Sequence, residues 1–412
     1  MAFLQIKSTN PKLSFILRKN PATGMIVRHL KEGHLIGYYS NDNTVFNCYF
    51  KDADYDVSYK IHRNEDFEYI NTTRYHACEF VLDTINEFLS HIIKKDIPDD
   101  VDGFENEVFL NLVYVRQRYL EIFSKYYTDY EIKYEKITEG NFRVWFKTKK
   151  SLKELISFVQ LFSIFNVLKN RVLNDSEIEK YINVMDATKT PYFVKYVFKV
   201  NMLRDVRSFD KYKDKLAQNC VEDVEFSHGY LAQQRFDYVK ANLDYKRDIV
   251  DFGCGEGNFI WKFRDKIENV RYYAVDKDEE VREGLAKKFP NKENLAILEV
   301  FPELNKPTDV IMSEVVEHMD LKDAEFTLNQ ILMNPCVGRV IITTPDKDFN
   351  QFYFFDEDET RHEDHHFELT SSEFRAWIEK ITNNKFDAYF CGIGDKVNGI
   401  HPSLGCVISK KV

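Results

Sequence analysis

Residues 248–257 read Asp-Ile-Val-Asp-Phe-Gly-Cys-Gly-Glu-Gly, an apolar run that ends in three closely spaced glycines. Such a run predicts a buried strand, and the glycines predict a tight turn into the helix that follows. Further strands are predicted at 271–276, 309–312 and 339–343, with helical patterns between them. Strands that alternate with helices favour an α/β fold, here a doubly wound, Rossmann-like parallel sheet in the C-terminal half of the chain.

The glycine turn has the pattern of a nucleoside-binding site. Its spacing is Gly253-x-Gly255-x-Gly257, whereas a dinucleotide-binding turn has its third glycine one position later. Asp251 ends the first strand, and Asp276 ends the second, where a carboxylate can accept hydrogen bonds from a ribose diol. The pattern resembles that of S-adenosylmethionine-dependent methyltransferases. We therefore expect S-adenosyl-L-methionine at Asp251, Gly253, Gly255 and Asp276; the alternative is a turn that packs without a ligand.

A second group of polar residues follows the strand at 309–312. The chain continues Ser-Glu-Val-Val-Glu-His at 313–318, and a helix that begins here would place Glu314, Glu317 and His318 on one face. Because the carboxyl ends of parallel strands share one edge of a sheet, we expect these side chains beside the glycine turn. Taken alone, the pattern also fits a solvated helix face.

A histidine-rich stretch supplies further metal ligands. Residues 361–368 read Arg-His-Glu-Asp-His-His-Phe-Glu; His365 is the best fourth ligand, and His362 and His366 are alternatives by proximity. Thr-Ser-Ser-Glu at 370–373 predicts a capping box that starts the next helix. Two carboxylates and two imidazoles suit one divalent ion such as Mn²⁺, Mg²⁺ or Co²⁺. The His-Glu-x-x-His spacing of zinc hydrolases is absent.

The length of 412 residues predicts two or three domains. We place an N-terminal α+β domain at 1–205, a linker rich in charged residues at 206–225, and the methyltransferase domain at 226–412. In the N-terminal part, Asn-Asp-Asn at 41–43 between two apolar runs predicts a hairpin. Helices are predicted at 75–93 and 155–168, and the second is too short and too polar to cross a bilayer.

Charge and cysteine content limit the kinds of ligand and the cellular compartment that we expect for the protein. The net charge of −10 argues against non-specific nucleic-acid binding through overall charge, although it leaves room for a local basic groove. Seven cysteines without a Cys-x-x-Cys motif predict reduced thiols. The first residues contain no long apolar segment, so no signal peptide is predicted and we expect a cytoplasmic protein without a membrane partner.

Four motifs together resemble the RNA 3′-terminal ribose 2′-O-methyltransferases of the Hua-enhancer type. They are Asp-Phe-Gly-Cys-Gly-Glu-Gly at 251–257, Glu-Val-Val-Glu-His at 314–318, Thr-Thr-Pro-Asp-Lys-Asp-Phe-Asn at 343–350 and Asp-His-His-Phe-Glu-Leu-Thr at 364–370. The N-terminal half resembles the extra domain of the bacterial RNA-repair branch at 13–21 and 69–75. The chain departs from the family pattern at Leu369, where the family has tryptophan, and at Asp346, where it has asparagine. The segment 295–309 is shorter than usual.

The resemblance implies an activity, two cofactors and a partner. The activity is metal-dependent methyl transfer from S-adenosyl-L-methionine to the 2′-hydroxyl of the 3′-terminal ribose of RNA, at cleaved ends such as those of tRNA. The implied metal ligands, which are also the catalytic residues, are Glu314, Glu317, His318 and His365, with Mn²⁺ or Mg²⁺ as the ion. In the bacterial branch the partner is a polynucleotide kinase–phosphatase and ligase, and the N-terminal domain is the part that binds the partner or activates the ligase.

A cation would explain a preference for RNA ends. It lowers the pKa of a ribose hydroxyl, and the two positions left open on an octahedral ion match the vicinal oxygens of a terminal 2′,3′-diol. A histidine near the metal is a candidate general base. Two other functions fit the sequence: a small-molecule S-adenosylmethionine methyltransferase, and a docking or activating subunit of an RNA ligase complex.

Overall fold

The computed structural model describes residues 3–30, 33–52, 77–167, 173–290, 292–353 and 360–411. The chain divides into two compact units. The first comprises Met1–Leu203 and Gln218–Val221, and the second comprises Arg204–Ala217 and Glu222–Val412. The motif at 69–75 and the first residues of the helix predicted at 75–93 lie outside the described residues.

An antiparallel sheet organises the N-terminal unit. Its strands are β1 (Phe3–Ser8), β2 (Ile26–Leu30), β3 (Gly33–Ser40), β4 (Val45–Asp52), β5 (Asn106–Tyr114), β6 (Glu131–Thr138) and β7 (Asn141–Thr148). They lie in the order β2-β3-β4-β1-β5-β7-β6, and each neighbouring pair is antiparallel. The predicted hairpin is confirmed: β3 and β4 pair around Asn41, Asp42 and Asn43, which all have positive φ, a conformation that Asn and Asp tolerate.

Helices pack on one face of this sheet. They are α1 (Leu13–Leu17), α2 (Cys78–Thr84), α3 (Ser90–Lys94), α4 (Gln117–Tyr126), α5 (Leu152–Val167), α6 (Asp175–Ala187) and α7 (Tyr192–Met202), with a π-helical segment, Ile85–Leu89, between α2 and α3. Strand residues alternate between two sides, and Phe146 of β7 packs on Phe158 and Phe162 of α5. The predicted helix at 155–168 is α5, and it is buried along most of its length.

Residues 206–225, assigned above to a linker because of their charge, contain regular structure. Helix α8 spans Val206–Ala217, and β8 (Val224–Glu225) pairs with a second short strand, Lys396–Val397. Within α8, Phe209, Tyr212 and Leu216 are buried at helical spacing. These three residues give a strongly charged segment the apolar face that a packed helix needs.

A mostly parallel sheet organises the C-terminal unit. Its strands are β9 (Asp248–Phe252), β10 (Tyr272–Val275), β11 (Leu295–Leu298), β12 (Thr308–Ser313), β13 (Val337–Pro345), β14 (Phe386–Ile393) and, after the short β15 (Lys396–Val397), β16 (Ser403–Lys410). The order is β11-β10-β9-β12-β13-β16-β14, parallel from β11 to β13 and antiparallel for β16 and β14. The predicted strands correspond to β9, β10, β12 and β13, whereas the antiparallel edge was not predicted.

Helices cover both faces of this sheet, as a doubly wound fold requires. They are α9 (Leu231–Asn242), α10 (Asn258–Phe263), α11 (Glu279–Lys288), α12 (Leu321–Met333) and α13 (Ser371–Thr382). Alternate residues of each strand enter two cores: Val250 and Val310 pack with α12 and α13, and Ile249 and Ile311 pack with α9, α10 and α11. The chain leaves β9 in one direction across the sheet and reaches β12 in the other. That reversal opens a cleft at the carboxyl ends of β9 and β12.

Two global expectations can be compared with the described residues. None of their helices has the length and apolar character needed to cross a membrane. All seven cysteines have free thiols.

Candidate functional site

The glycine turn after β9 is packed by protein at two positions and open at the third. Gly253 and Gly257 both have φ near +70°, and an added Cβ would lie 2.6 Å from Val315 and from Leu285, respectively. Gly255 also has positive φ, but a Cβ there would meet nothing within 4 Å. The outer glycines are therefore explained by packing, whereas Gly255 offers its backbone to open space where a ligand can approach.

Asp276, directly after β10, holds this turn in place. The backbone N–H of Gly255 donates to Asp276 Oδ2 over 2.9 Å, and the N–H of Asp278 donates to Oδ1 over 3.1 Å. The side chain remains half-buried. Its carboxylate keeps lone pairs for further donors at the cleft, so the geometry suits the ribose diol expected there.

Asp251 lies behind the turn and is 2% exposed. The hydroxyl of Tyr272 donates to Asp251 Oδ2 over 2.8 Å. Burial, opposed by this hydrogen bond and assisted by the charge of Asp276, raises the pKa of Asp251 to about 7. The carboxyl group thus faces the protein interior and supports the base of the turn.

Three side chains converge at the neighbouring strand end. Ligand atoms of Glu317, His318 and His365 lie within 4.8 Å of one another, the one such group of three or more acids, histidines and cysteines among the described residues. A backbone hydrogen bond from the N–H of His366 to the carbonyl of Glu317, 2.8 Å long, joins the two stretches that supply them. We refer to these three residues as the Glu–His cluster.

The local conformation of this segment differs from the helix expected at Glu314. Glu314 has φ of +58°, and the residues after it form a single 3₁₀ turn, Val316–His318. Helix α12 begins only at Leu321. The prediction of a shared helix face was therefore wrong; a left-handed residue and a tight turn direct the cluster toward the cleft instead. The capping box predicted at Thr370 and Glu373 is confirmed at the start of α13.

Glu317 is completely buried, and one of its oxygens has no partner. Thr344 Oγ1 donates to Oε2 over 3.1 Å, but Oε1 makes no hydrogen bond in the described structure. Burial and, second, the charge of Glu314 raise its pKa well above the usual value. A buried carboxylate oxygen without a donor is costly for the protein alone, and a bound cation would remove that cost.

Each histidine of the cluster is oriented by a carboxylate. His318 Nδ1 lies 3.0 Å from Asp364 Oδ2, and His365 Nδ1 lies 2.7 Å from Glu368 Oε1. A ring whose Nδ1–H donates to an acid leaves Nε2 available to a metal, an arrangement that is common around metal-binding histidines. The two rings are edge to face with centroids 4.8 Å apart.

Glu368 is itself held by a buried network that the sequence did not reveal. Its carboxylate accepts hydrogen bonds from Asn350 Nδ2 over 2.6 Å and from the backbone N–H of Arg361 over 2.8 Å. Burial acts to raise the pKa of Glu368, but these two bonds and that from His365 outweigh it and hold the pKa below the usual value. Arg361 Nε donates to Asn350 Oδ1, and its other nitrogens reach the carbonyls of Asp346 and Pro402. In the sequence, the feature that could have indicated this network is the position of an acid, Glu368, three residues after His365.

The remaining candidates lie around the cluster but outside it. Glu314 pairs with Arg235 over 2.6 Å and accepts a hydrogen bond from Thr343 Oγ1 over 3.1 Å. His362 is exposed and contacts Asp364, while His366 contacts Asp320 over 3.0 Å. Of the three histidines weighed from the sequence, His365 is the one that joins Glu317 and His318.

Two family models match adjacent parts of the chain. The model for the Hen1 N-terminal domain matches residues 3–220, and a methyltransferase-domain model matches residues 225–386. The first alone covers more than half of the 412 residues.

Similar proteins and structures agree with these matches. A chain in a solved structure of the Pnkp1/Rnl/Hen1 RNA repair complex is 25% identical, with a TM-score of 0.83, and the match covers 99% of this chain and 100% of that one. A small RNA 2′-O-methyltransferase of Caenorhabditis elegans is 28% identical over 37% of this chain, and one of Tetrahymena thermophila is 36% identical over 18%. The matches span 41% and 18%, respectively, of those two curated relatives.

Proposed function

The chain belongs to the Hen1 family, and we propose that it transfers a methyl group from S-adenosyl-L-methionine to the 2′-hydroxyl of the 3′-terminal ribose of RNA. The observation that carries this proposal is the position of the Glu–His cluster beside the glycine turn. Val315, two residues before Glu317, occupies the space next to Gly253, so the segments that carry the two sites are in contact.

S-adenosyl-L-methionine would bind at the turn. Gly253 and Gly255 bring the backbone close to the methionine part, and Asp276 accepts hydrogen bonds from the ribose diol. Asp251 lies behind the turn and fixes the end of β9 by accepting a hydrogen bond from Tyr272. The open space at Gly255 supports this assignment, because a ligand could approach the backbone there.

The Glu–His cluster fits one divalent ion such as Mn²⁺ or Mg²⁺. Glu317 would supply its unpartnered Oε1, and His318 and His365 would supply Nε2. Glu314, which lies outside the cluster, would be the fourth ligand, since both of its oxygens retain lone pairs beside the bonds to Arg235 and Thr343. When bound, the ion supplies positive charge that lowers the pKa of a neighbouring hydroxyl.

The side chains of the chain itself position the reacting groups. Asp364 and Glu368 fix the rings of His318 and His365, and Arg235 fixes the carboxylate of Glu314. The ribose 2′-oxygen then attacks the methyl carbon, the electron pair of the broken bond goes to the sulfonium sulfur, and the hydroxyl proton is released. We propose that an unmodified 2′,3′-diol is required, which restricts the reaction to RNA ends.

One assay tests this function. Purified protein is given S-adenosyl-L-methionine with a labelled methyl group and RNAs that differ only in the last sugar, with Mn²⁺ or with a chelator. We expect methyl transfer to the 2′,3′-diol alone, and only with the divalent ion. Methylation of a 3′-phosphate end, or equal activity with chelator, would contradict the proposal. Failure with every RNA would favour a small-molecule substrate.

We further propose that residues 1–205 serve a partner role in cytoplasmic RNA repair, acting on cleaved RNA such as tRNA. The supporting observation is the match over nearly the full chain to a chain in the structure of the Pnkp1/Rnl/Hen1 RNA repair complex. Co-purification of the full chain with a kinase–phosphatase and ligase partner tests this role. If the partners elute separately at micromolar concentrations, the role is rejected.

A further inference from the structure

The antiparallel sheet of the N-terminal unit has aromatic residues on the face opposite the helices described above. Four adjacent strands contribute one each: Tyr49 from β4, Phe3 from β1, Phe109 from β5 and Trp145 from β7. The register pairs Phe3 with Tyr49 and Phe109 with Trp145. Three strand spacings of ~4.8 Å give this aromatic row a length of about 14 Å.

The rings are arranged as a platform with accessible surface. Phe109 and Trp145 stack with centroids 4.8 Å apart and planes 21° apart, and Phe3 meets Phe109 edge to face at 6.1 Å. All four side chains are half-buried. Their neighbours along each strand, such as Leu4, Leu110 and Val144, point to the other face and are buried under the helices. A sheet with one solvent-facing side ordinarily has polar residues there, so aromatic residues at this position need another explanation.

Basic residues surround the row. On the strands of this face the basic positions are Lys7, Lys51, Lys133, Arg143 and Lys147. The acidic positions are Glu107, Glu131 and Glu135. Five basic against three acidic residues leave a local excess of two positive charges, in a chain whose net charge is −10. Three of the basic residues form ion pairs with the three acids, so the excess positive charge that favours an anionic ligand lies on Lys7 and Lys51.

A polar cavity of about 510 Å³ continues the face at one end of the row. Its lining contains three lysines, Lys7, Lys147 and Lys149, and four acids, Glu105, Glu107, Asp129 and Glu131. Lys147 pairs with Glu107 over 2.9 Å, whereas Lys7 and Lys149 are exposed and form no ion pair with any described residue. The two unpaired ammonium groups of Lys7 and Lys149 are suitable donors for phosphate oxygens.

We propose that this face binds single-stranded RNA, with bases stacked on the aromatic row and phosphates held by Lys7 and Lys149. The proposal rests on the proposed function, because the ligand is the strand whose 3′ end the other unit methylates. Aromatic rings with interleaved lysines are the standard means of binding single strands on a sheet. The centre of a protein–protein interface is depleted in lysine, which makes a protein partner the poorer match.

The test uses the full chain and a short fluorescein-labelled RNA that ends in a 3′-phosphate, so that binding is measured without methylation. The double variant Phe109→Leu with Trp145→Leu keeps apolar surface but cannot stack. We expect fluorescence anisotropy to show at least about tenfold weaker binding, since loss of one stacked base weakens binding roughly 5- to 150-fold. The matched control is Tyr134→Leu, an exposed aromatic residue on the other face of the same sheet, and we expect it to bind as the wild type does.

The lysines provide an independent measurement. The double variant Lys7→Gln with Lys149→Gln should lower the slope of log Kd against log salt by about 1.4, or ~0.7 for each phosphate contact to a single strand. Lys322→Gln, an exposed lysine of the other unit, is the control with no expected change. An unchanged slope in the double variant would overturn the phosphate assignment.

A crosslinking experiment on the wild-type protein covers the case in which the leucine variant does not fold. RNA containing 4-thiouridine is irradiated with the full chain, and we expect crosslinked peptides from β1, β5 or β7. Crosslinks confined to residues 226–412 would overturn the proposal. So would a folded leucine variant that keeps its RNA affinity but no longer co-purifies with a kinase–phosphatase and ligase partner, since the face would then bind protein.

These outcomes test RNA binding by the aromatic face separately from the proposed methyltransferase function. If the wild type methylates RNA ends while the leucine variant binds RNA normally, the platform is wrong and the proposed function stands. If the wild type binds RNA through the platform but transfers no methyl group, the proposed function is wrong and the platform stands.

Discussion

The glycine turn and the Glu–His cluster form the two halves of the cleft, and they differ in whether the protein alone satisfies their polar groups. At the glycine turn, the carboxylate of Asp276 accepts backbone N–H groups and Asp251 accepts the hydroxyl of Tyr272. At the Glu–His cluster, by contrast, Glu317 buries an oxygen that has no donor among the described residues. The polar groups of the turn are therefore satisfied by the protein alone. The cluster contains a buried oxygen without a hydrogen-bond donor, which a bound cation would satisfy.

This difference predicts that the two halves fail in different ways. A substitution at the turn should weaken the cofactor and leave the ion in place, and a substitution at the cluster should do the reverse. Removing the buried charge of Glu317 should also stabilise the protein without ion, because an unbalanced carboxylate no longer needs to be buried.

The largest effect is expected for Glu317→Gln. The amide keeps the shape but loses the charge and the strongest oxygen ligand, so methyl transfer should fall by more than about 100-fold, as for removal of a metal ligand. Calorimetry should detect no Mn²⁺ binding, while S-adenosyl-L-methionine should bind within about twofold of the wild type. Glu363→Gln, an exposed acid in the histidine-rich stretch, is the control. Retained Mn²⁺ affinity in Glu317→Gln would refute the cluster as the metal site.

Asp276→Asn should give the complementary result. The amide can still accept the N–H of Gly255, but it loses the charge that strengthens hydrogen bonds from a ribose diol. We expect S-adenosyl-L-methionine to bind about 10- to 50-fold more weakly, because a bond to a charged group contributes about 1.5–3 kcal/mol. Mn²⁺ affinity should not change. Glu279→Gln, at the surface of α11, is the control, and equal loss of both ligands in Asp276→Asn would mean that the two halves are not independent.

The two halves also differ in how far the sequence predicts them. The glycine turn follows from consecutive residues: the run at 248–252 predicts a buried strand, and the closely spaced glycines after it predict the turn, where a Cβ at Gly253 or Gly257 would clash with a neighbouring side chain. The position of Asp276 follows from the next strand. Local pattern and tertiary structure therefore agree, and four of the five parallel strands were predicted, all but β11.

The cluster depends on contacts between distant parts of the chain. The residue types of Glu317, His318 and His365 indicated a metal, but the helix assumed for Glu314 was wrong, because Glu314 adopts a left-handed conformation that no periodicity marks. Asn350 and Arg361 belong to the network through side-chain hydrogen bonds that only folding creates. The antiparallel edge, β14 and β16, and the order of the N-terminal strands were likewise beyond the sequence, since register is set by long-range pairing.

Glu368→Gln tests whether the hydrogen bond between His365 and Glu368 positions the cluster. The amide keeps an acceptor for Asn350 but no longer provides the charged partner of His365 Nδ1, so the ring loses the interaction that fixes its tautomer. We expect Mn²⁺ affinity to fall about tenfold, with methyl transfer recovering as Mn²⁺ is raised. Such recovery separates a positioning residue from a ligand, since Glu317→Gln should not recover. An unchanged Mn²⁺ affinity in Glu368→Gln would limit the network to a structural role.

Asp251→Asn should have the smallest effect on methyl transfer, less than about threefold, and its main effect should be on stability against pH. Burial raises the pKa of Asp251 to about 7, so in the folded state the acid is protonated below that pH while the unfolded chain is already ionised near pH 4. The unfolded state therefore binds fewer protons, and the contribution of Asp251 to stability is lost as pH rises from about 4 to about 7.

The expected loss between about pH 5 and about pH 7 is on the order of 2–3 kcal/mol, at 1.36 kcal/mol per pH unit. Denaturant unfolding of wild type and Asp251→Asn at both pH values measures it, and the asparagine, which can still accept the hydroxyl of Tyr272, should remove that slope. Mn²⁺ should leave the slope unchanged, because Asp251 has a protein partner and does not depend on the ion, unlike Glu317. A slope that persists in Asp251→Asn must come from another group, and a slope that Mn²⁺ abolishes would mean that both buried carboxylates respond to the same cation.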